Sequence, residues 1–309
     1  MKKKKPYRLL FYYLFVALRA VFNLLPYAAA VNICRRLGRL VFYLIPKERE
    51  KTLKNLREAF GSEKSEKELR NIARAVFENY GMIAAETHLV HKIIPKIDDW
   101  ITFSGEEIAA AAFKKGNGII GVVAHFGDWE FLAGYLALKN YPVTVIAKKI
   151  YYEKYNELLM GVRRKMKVRT IYRDDSPRKM LQALRENGIL GFVADQDVDT
   201  VDGVFVDFFG KPAYTPIAPV RFAMATGAPI IPAFIIREGL KHRLIAEPPI
   251  ELTVTGNKED DLRINTQKWV SIQEKYIRRY PHLWVWNHKR WKTKPEVKIP
   301  TVQGLSKGA

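Results

Sequence analysis

The chain has 309 residues, enough for one large α/β domain or two smaller ones, and 48% hydrophobic content excludes a disordered chain. Its 52 Lys and Arg stand against 32 Asp and Glu, a formal charge of +20 that points to an anionic partner, acidic lipid or nucleic acid. Cys34 is the only cysteine, which excludes an intrachain disulfide and a Cys-based zinc site.

Residues 1–46 read as a basic and apolar membrane anchor. Lys2 to Lys5 form a basic block, and the uncharged runs Leu9 to Leu18 and Ala20 to Cys34 are separated by Arg19. Neither run reaches the 18 or so apolar residues of a clear transmembrane helix. A single span would hold Arg19 near its centre at a cost of about 2.5–3.5 kcal/mol, and Pro26 favours a break. An embedded helical hairpin or an interfacial anchor is therefore expected, with the Lys block at the cytoplasmic face. The competing expectation is a buried amphipathic helix, but Tyr7, Phe11, Tyr12, Tyr13, Phe15, Phe22 and Tyr27 suit an interface better. No A-x-A-like site closes the run, so no cleavable signal peptide is expected.

Residues 47–98 read as helical. Glu48 to Phe60 has helical spacing and stops at Gly61, and Ser65-Glu66-Lys67-Glu68 is a capping box opening a long helix to about Leu89. Leu69, Ile72, Ala73, Val76, Phe77 and Tyr80 form its core stripe, and His88 and His91 are expected to be solvated.

From residue 99 to 295 short apolar runs alternate with helical segments. The strand candidates are Ile119–Ala124, Val143–Ala147, Val168–Ile171, Ile189–Ala194, Gly203–Asp207 and Pro229–Ile236. Helices near 105–115, 129–140, 152–166, 175–187 and 216–226 fall between most of them, and a last helix covers about Leu262 to Arg279. The fold class is α/β, a mainly parallel sheet covered by helices on both faces, with residues 296–309 as a flexible tail. Sites in such sheets lie at the carboxyl ends of strands, where both His125 and Asp195 fall. There is no Walker-A or GxGxxG pattern for a nucleotide and no G-x-S-x-G elbow for an acyl-enzyme.

Four constellations could carry chemistry. His125 and Glu130 straddle Gly127, so an imidazole at a strand end could meet a carboxylate at a helix start and act as a general base, with Asp128 capping the helix. Asp195-Gln196-Asp197, with Asp199 and Asp202, could hold a metal or be an acidic loop. Arg163, Arg164, Arg169, Arg173 and Arg178 could bind an anionic substrate or an oxyanion, or be a solvated face. Trp284 to Trp291 interleaves three Trp with His288, Lys289 and Arg290, which suits a headgroup-level membrane contact or an acceptor clamp, with single-stranded nucleic acid as the competing use.

Several of these blocks together resemble the bacterial lipid A biosynthesis acyltransferases. Ala124 to Glu130 is similar to their H-x-G-N-W-E block and Asp195-Gln196-Asp197 to their D-Q-D or D-H-D. Phe205 to Gly210 resembles their F-V-x-F-F-G, Thr226 to Pro229 their T-G-A-P, and Pro281 to Trp291 their closing P-x-x-W-x-W-x-H-x-R-W. The resemblance implies a glycerol-phosphate-acyltransferase-like fold. It implies a membrane-bound enzyme of the bacterial inner membrane, active on the cytoplasmic face, that moves a fatty acyl chain from acyl-carrier protein to a hydroxyl of an anionic glycolipid. His125 would be the base and Glu130 its orienting acid. Arg173 and Arg163 would meet the oxyanion or an acceptor phosphate, and Asp195 would be structural or substrate-orienting. Trp286, His288, Arg290 and Trp291 would contact the acceptor or the membrane, and no metal or organic cofactor and no nucleic acid is implied. Asp128 replaces the usual Asn, and Val198-Asp199 stands where a glycine often follows D-Q-D. Phosphatidylinositol mannoside acyltransferases, which take acyl-CoA, share the same block order, so an acyl-CoA-dependent phospholipid or phosphatidylinositol mannoside acyltransferase is the alternative within the class. A basic membrane or nucleic-acid binding module without chemistry is the alternative of another class.

Overall fold

The computed structural model describes residues 13, 16 and 19–295; the Lys2–Lys5 block, most of Leu9–Leu18 and the 296–309 tail lie outside the described residues. Three helices come first, α1 (Tyr27–Leu44), α2 (Pro46–Phe60) and α3 (Glu66–Ile93), followed by a 3-10 turn, Ile94–Asp99. Pro26 breaks the chain from the helical residues 19–24 that precede α1, since its ring cannot donate to the ladder. The Ser65 hydroxyl accepts from the Glu68 N–H while the Glu68 carboxylate accepts from the Ser65 N–H, so both orphan donors at the start of α3 are met.

The alternating half contains β1 (Ile101–Ser104), α4 (Glu106–Lys114), β2 (Ile119–Val123), α5 (Trp129–Leu138), β3 (Val143–Ala147), α6 (Glu153–Lys165), β4 (Arg169–Tyr172), α7 (Pro177–Arg185) and β5 (Ile189–Val193). There follow β6 (Gly203–Phe208), β7 (Lys211–Pro216), α8 (Ala218–Thr226), β8 (Ile230–Glu238), β9 (Lys241–Ala246) and α9 (Lys258–Arg279). Seven strands form one sheet in the order β1-β9-β8-β2-β5-β3-β4, parallel throughout except where β9 turns back antiparallel to β8. Every residue of β2 is buried, as expected of a central strand with both faces covered. On one face Ile119, Val123, Ile231 and Ile235 pack beneath α5; on the other Ile120, Val122, Ile230 and Phe234 pack with Trp269 and Val270 of α9.

The mainly parallel α/β architecture agrees with the spacing of apolar runs, with two differences. Gly203–Asp207 is a strand, but β6 pairs only with β7 in a separate antiparallel hairpin. The strands β1, β7 and β9 escape a reading by apolar runs, because β9 opens on Lys241-His242-Arg243 and the other two are short edge or hairpin strands.

The expected N-terminal membrane anchor is not supported by the described residues. Among the described residues no helix is long and apolar enough to cross a membrane. Instead α1 lies on α3 with Ala30, Val31, Gly38 and Phe42 buried in the contact. The backbones touch at Gly38 and Gly81: a Cβ at the first would stand against the Phe77 carbonyl, and one at the second against the Cys34 carbonyl. The small-residue stripe of α1 therefore faces inward and its bulky apolar stripe outward, the reverse of a water-facing helix.

Candidate active site

The end of β2 delivers His125 to a tight turn. Gly127 has φ +58, and a Cβ there would collide with the Ile235 carbonyl, so only glycine lets the chain reverse into α5. Two backbone bonds tie this turn to the closing segment: the Gly127 N–H donates to the Leu283 carbonyl at 2.9 Å and the Val285 N–H to the His125 carbonyl at 3.1 Å. Trp129, the first residue of α5, sets its indole edge against the imidazole with centroids 5.0 Å apart.

The spacing of His125 and Glu130 predicts that these two meet, but the carboxylate on the imidazole is that of Asp195. His125 Nδ1 lies 2.7 Å from Asp195 Oδ1, and the His125 backbone N–H donates to Asp195 Oδ2 at 2.9 Å. Strand order explains it: β5 is the hydrogen-bonded neighbour of β2, in register from Ile119↔Ile189 to Val123↔Val193, so residues two beyond each strand end stand side by side. Trp284 Nε1 donates to Asp195 Oδ2 at 2.7 Å and completes the carboxylate's shell. Burial pushes the Asp195 carboxyl up, but His125, His288 and the Trp284 bond outweigh it and hold the group ionised well below the usual carboxylate range. Burial opposes a charge on His125, yet the Asp195 charge and hydrogen bond, with Glu130 farther off, raise its pKa above 6.5. A ring nitrogen facing a carboxylate carries the proton, so Nε2 keeps its lone pair, and the side chain remains 24% exposed.

Glu130 is corrected from an imidazole partner to an arginine partner. Its Oε2 and Oε1 accept from Arg163 Nε at 2.8 Å and Nη2 at 2.6 Å, a two-point pair buried on both sides. Arg163 also reaches the Thr170 hydroxyl at 3.4 Å, so α5, α6 and β4 are stapled together. Glu130, Arg163 and Trp129 line one end of an apolar cavity between α5 and the sheet, whose walls include Gly121, Gly191 and Val145.

Arg173 follows β4 at the same end of the sheet, with Asp174 the nearest carboxylate at 3.7 Å. Three strand spacings separate β4 from β2, roughly 14 Å, so Arg173 does not join the His125 cluster. The acidic loop is used internally. Asp197 accepts from the Thr293 N–H and hydroxyl, both at 2.7 Å, while Asp199 pairs with Lys292 and Asp202 with Arg221. Among the described residues no His, Cys, Asp and Glu group is arranged to hold a metal.

The closing segment is corrected from a surface contact to an internal strap. Trp284 and Trp286 are fully buried, and Arg290, also buried, donates to the Tyr214 carbonyl and the Thr215 hydroxyl at 2.6 Å each. Trp286 Nε1 donates to the Pro281 carbonyl at 2.7 Å, and Asn55 Nδ2 donates to the carbonyls of Trp286 and His288 at 2.6 Å. Trp291 packs on Phe208 with centroids 5.8 Å apart. Trp284, Trp286 and Arg290 are thus taken up by internal partners, while His288 and Trp291 are partly exposed. His288 lies against Trp284, and burial lowers its pKa to about 4, so it is neutral near pH 7.

A second buried cluster escapes any reading of spacing. Glu86 of α3 takes two bonds of 2.5 Å from Arg237 of β8, with His242 Nε2 3.2 Å away, and the Tyr27 hydroxyl donates to it at 3.4 Å. Burial opposes the Glu86 charge, but Arg237 and His242 hold its pKa down to about 2. Asp128, wholly buried beside this cluster, accepts from the Phe131 N–H at 3.1 Å, and its other oxygen has no partner.

The model for bacterial lipid A biosynthesis acyltransferases matches residues 1–293. The chain belongs to this family. The lipid A biosynthesis lauroyltransferase of Escherichia coli K12 is 27% identical over 283 residues, 88% of each chain. A phosphatidylinositol mannoside acyltransferase of Mycobacterium tuberculosis is 24% identical over 185 residues, a match that spans 59% of this chain and 57% of that relative. Among solved structures, the 1-acyl-sn-glycerophosphate acyltransferase of Thermotoga maritima aligns over 82% of this chain and 99% of its own, with 15% identity and a TM-score of 0.37.

Proposed function

We propose that this chain is a membrane-associated O-acyltransferase that moves a fatty acyl group from an acyl-carrier-protein thioester to a hydroxyl of a lipid A precursor. The observation that carries the reading is a general base, His125 held by Asp195, placed beside the end of an apolar cavity. The acceptor hydroxyl gives its proton to His125 Nε2 as its oxygen attacks the thioester carbonyl. The new C–O bond forms, the C–S bond breaks, and the imidazolium returns the proton to the departing thiolate. Asp195 stabilises the imidazolium in between and fixes the tautomer. Glu130 and Arg163 act as a rigid wall that positions the thioester, and Arg173, on the outer part of the same sheet end, meets a phosphate of the acceptor. No acyl-enzyme is required.

His125→Ala is expected to lower kcat about 10²–10⁴-fold with defined acyl-carrier-protein donors, read as a mass shift on the lipid acceptor. Near-normal transfer by that variant would remove the base from the mechanism. The pH profile supplies a second check. His125 works deprotonated, so activity falls as pH drops through its pKa, which lies above 6.5. Asp195→Asn removes the charge that raises this value, so the rising limb should move to lower pH while kcat falls. Acyl-CoA is the competing donor, the one implied by the resemblance to phosphatidylinositol mannoside acyltransferases; the two donors assayed in parallel separate the readings.

A further inference from the structure

Most glycines among the described residues are explained by a positive φ or by a backbone against which a Cβ would collide; of the four that are not, Gly134 and Gly161 lie in helices and Gly121 and Gly191 in strands. Gly121 sits mid-β2 and Gly191 mid-β5, in ordinary strand conformation and paired with each other across the sheet. A Cβ at Gly121 would lie 3.6 Å from Ile189 Cγ2, and one at Gly191 3.5 Å from Val145 Cγ1, both ordinary contacts. Glycine inside a strand weakens it, so neither is there for the backbone's sake. Both glycines line the apolar cavity under α5, between the layer of Val123 and Val193 near His125 and a layer of Ile119, Ile189 and Val143 at the opposite strand ends. On the helix side Leu132 and Leu136 cover it at helical spacing.

We propose that the Gly121–Gly191 pair sets acyl chain length: it hollows a slot for the acyl tail, and the Ile119–Ile189–Val143 layer closes that slot. This rests on the acyl-transfer reading of the same site. Four residue steps from Val123 to Ile119 at about 3.3 Å each span roughly 13 Å, the length of about ten to twelve methylenes of an extended chain. Side chains added at the glycines fill the slot at half its depth, and trimming Ile119 deepens it.

The test compares the wild type with Gly121→Val, Gly191→Val and Ile119→Ala, using acyl-carrier-protein donors of eight to sixteen carbons. Wild-type transfer should peak at about ten to twelve carbons. The ratio of eight-carbon to twelve-carbon transfer should rise at least tenfold in either valine variant, and the peak should move about two carbons longer in Ile119→Ala. Identical profiles in all four proteins overturn the proposal. Should valine prevent folding, Gly121→Ala, whose Cβ meets only ordinary contacts, replaces it with a smaller shift in the same direction. Thermal shifts with free fatty acids of eight to sixteen carbons, below their micellar concentrations, read the slot without chemistry. The longest stabilising acid should shorten in the valine or alanine variant, and an unchanged ladder overturns the slot even where transfer occurs. Absence of transfer from every donor, with the ladder shifting as expected, refutes the acyl-transfer reading and leaves the slot standing.

Discussion

His125 has its partner 70 residues away rather than five, because a carboxylate finds an imidazole through strand order. Glu130, adjacent in sequence, is drawn off by Arg163 into a pair that braces α5 against α6. The turn between them holds a third carboxyl with a testable consequence. Asp128 is wholly buried, and burial together with the charges of Glu86 and Glu130 raises its pKa far above the ordinary value, offset in part by Arg237. Its folded pKa exceeds its unfolded one, so its contribution to stability is intact below about pH 4 and is lost as pH rises toward the folded pKa. Asp128→Asn, which restores the residue usual in the resembling block, should remove that loss. A tenfold difference in proton affinity between folded and unfolded chain is worth about 1.4 kcal/mol. Chemical denaturation near pH 8 should therefore find the variant more stable than the wild type, with the gap closing toward pH 4. Equal stability of the two proteins at both pH values would show Asp128 to be ionised in the fold without penalty.

At the scale of elements, α1 carries the clearest departure from a water-soluble pattern. Ile33, Leu37, Leu40, Val41 and Leu44 recur at helical spacing on its outer face and are exposed, while Ala30 and Gly38 face α3. Arg35, Arg36 and Arg39 flank the stripe and are exposed too. Such a face would suit the plane of an anionic bilayer surface, which a binding assay can test. Leu37→Glu with Leu40→Glu, at side chains 47% and 49% exposed, should reduce co-sedimentation with anionic vesicles about tenfold or more and leave the melting temperature within a degree or two. Unchanged sedimentation would move membrane contact elsewhere. The apolar runs of residues 20–34 mark apolar surface in the sequence, but which stripe stays outward depends on which one α3 covers. Similarly, the parallel sheet could be read from runs such as Ile119–Ala124, whose content is decided locally by burial on both faces. The place of Trp284 and Trp286 could not, because three Trp among cations look amphipathic until Asp195 and the Pro281 carbonyl supply the two indoles with internal partners. Neither could the Asp195–His125 contact, which no spacing encodes.

Across the whole molecule, the charge of +20 is unevenly placed. At the end of the sheet that carries His125, Lys148 and Lys149 after β3 and Arg178 and Lys179 after β4 are all exposed. An acidic carrier protein bringing a thioester to His125 would be steered by this field, and steering of that kind acts on encounter rate and is screened by salt. With an acyl-carrier-protein donor, kcat/KM should fall roughly tenfold between low and high ionic strength, as the Debye length shrinks from about 30 Å toward 3 Å. With an uncharged short thioester carrying the same acyl chain it should change less than about twofold, because no charged surfaces meet. Lys148→Glu with Arg178→Glu should flatten the first dependence while leaving the second as it is. If both donors respond alike in the unaltered protein, the positive field serves the lipid surface or the anionic acceptor rather than the carrier. The vesicle-binding of the Leu37 and Leu40 variants, measured over the same salt range, then tells how much of that attraction is electrostatic and how much is the apolar face of α1.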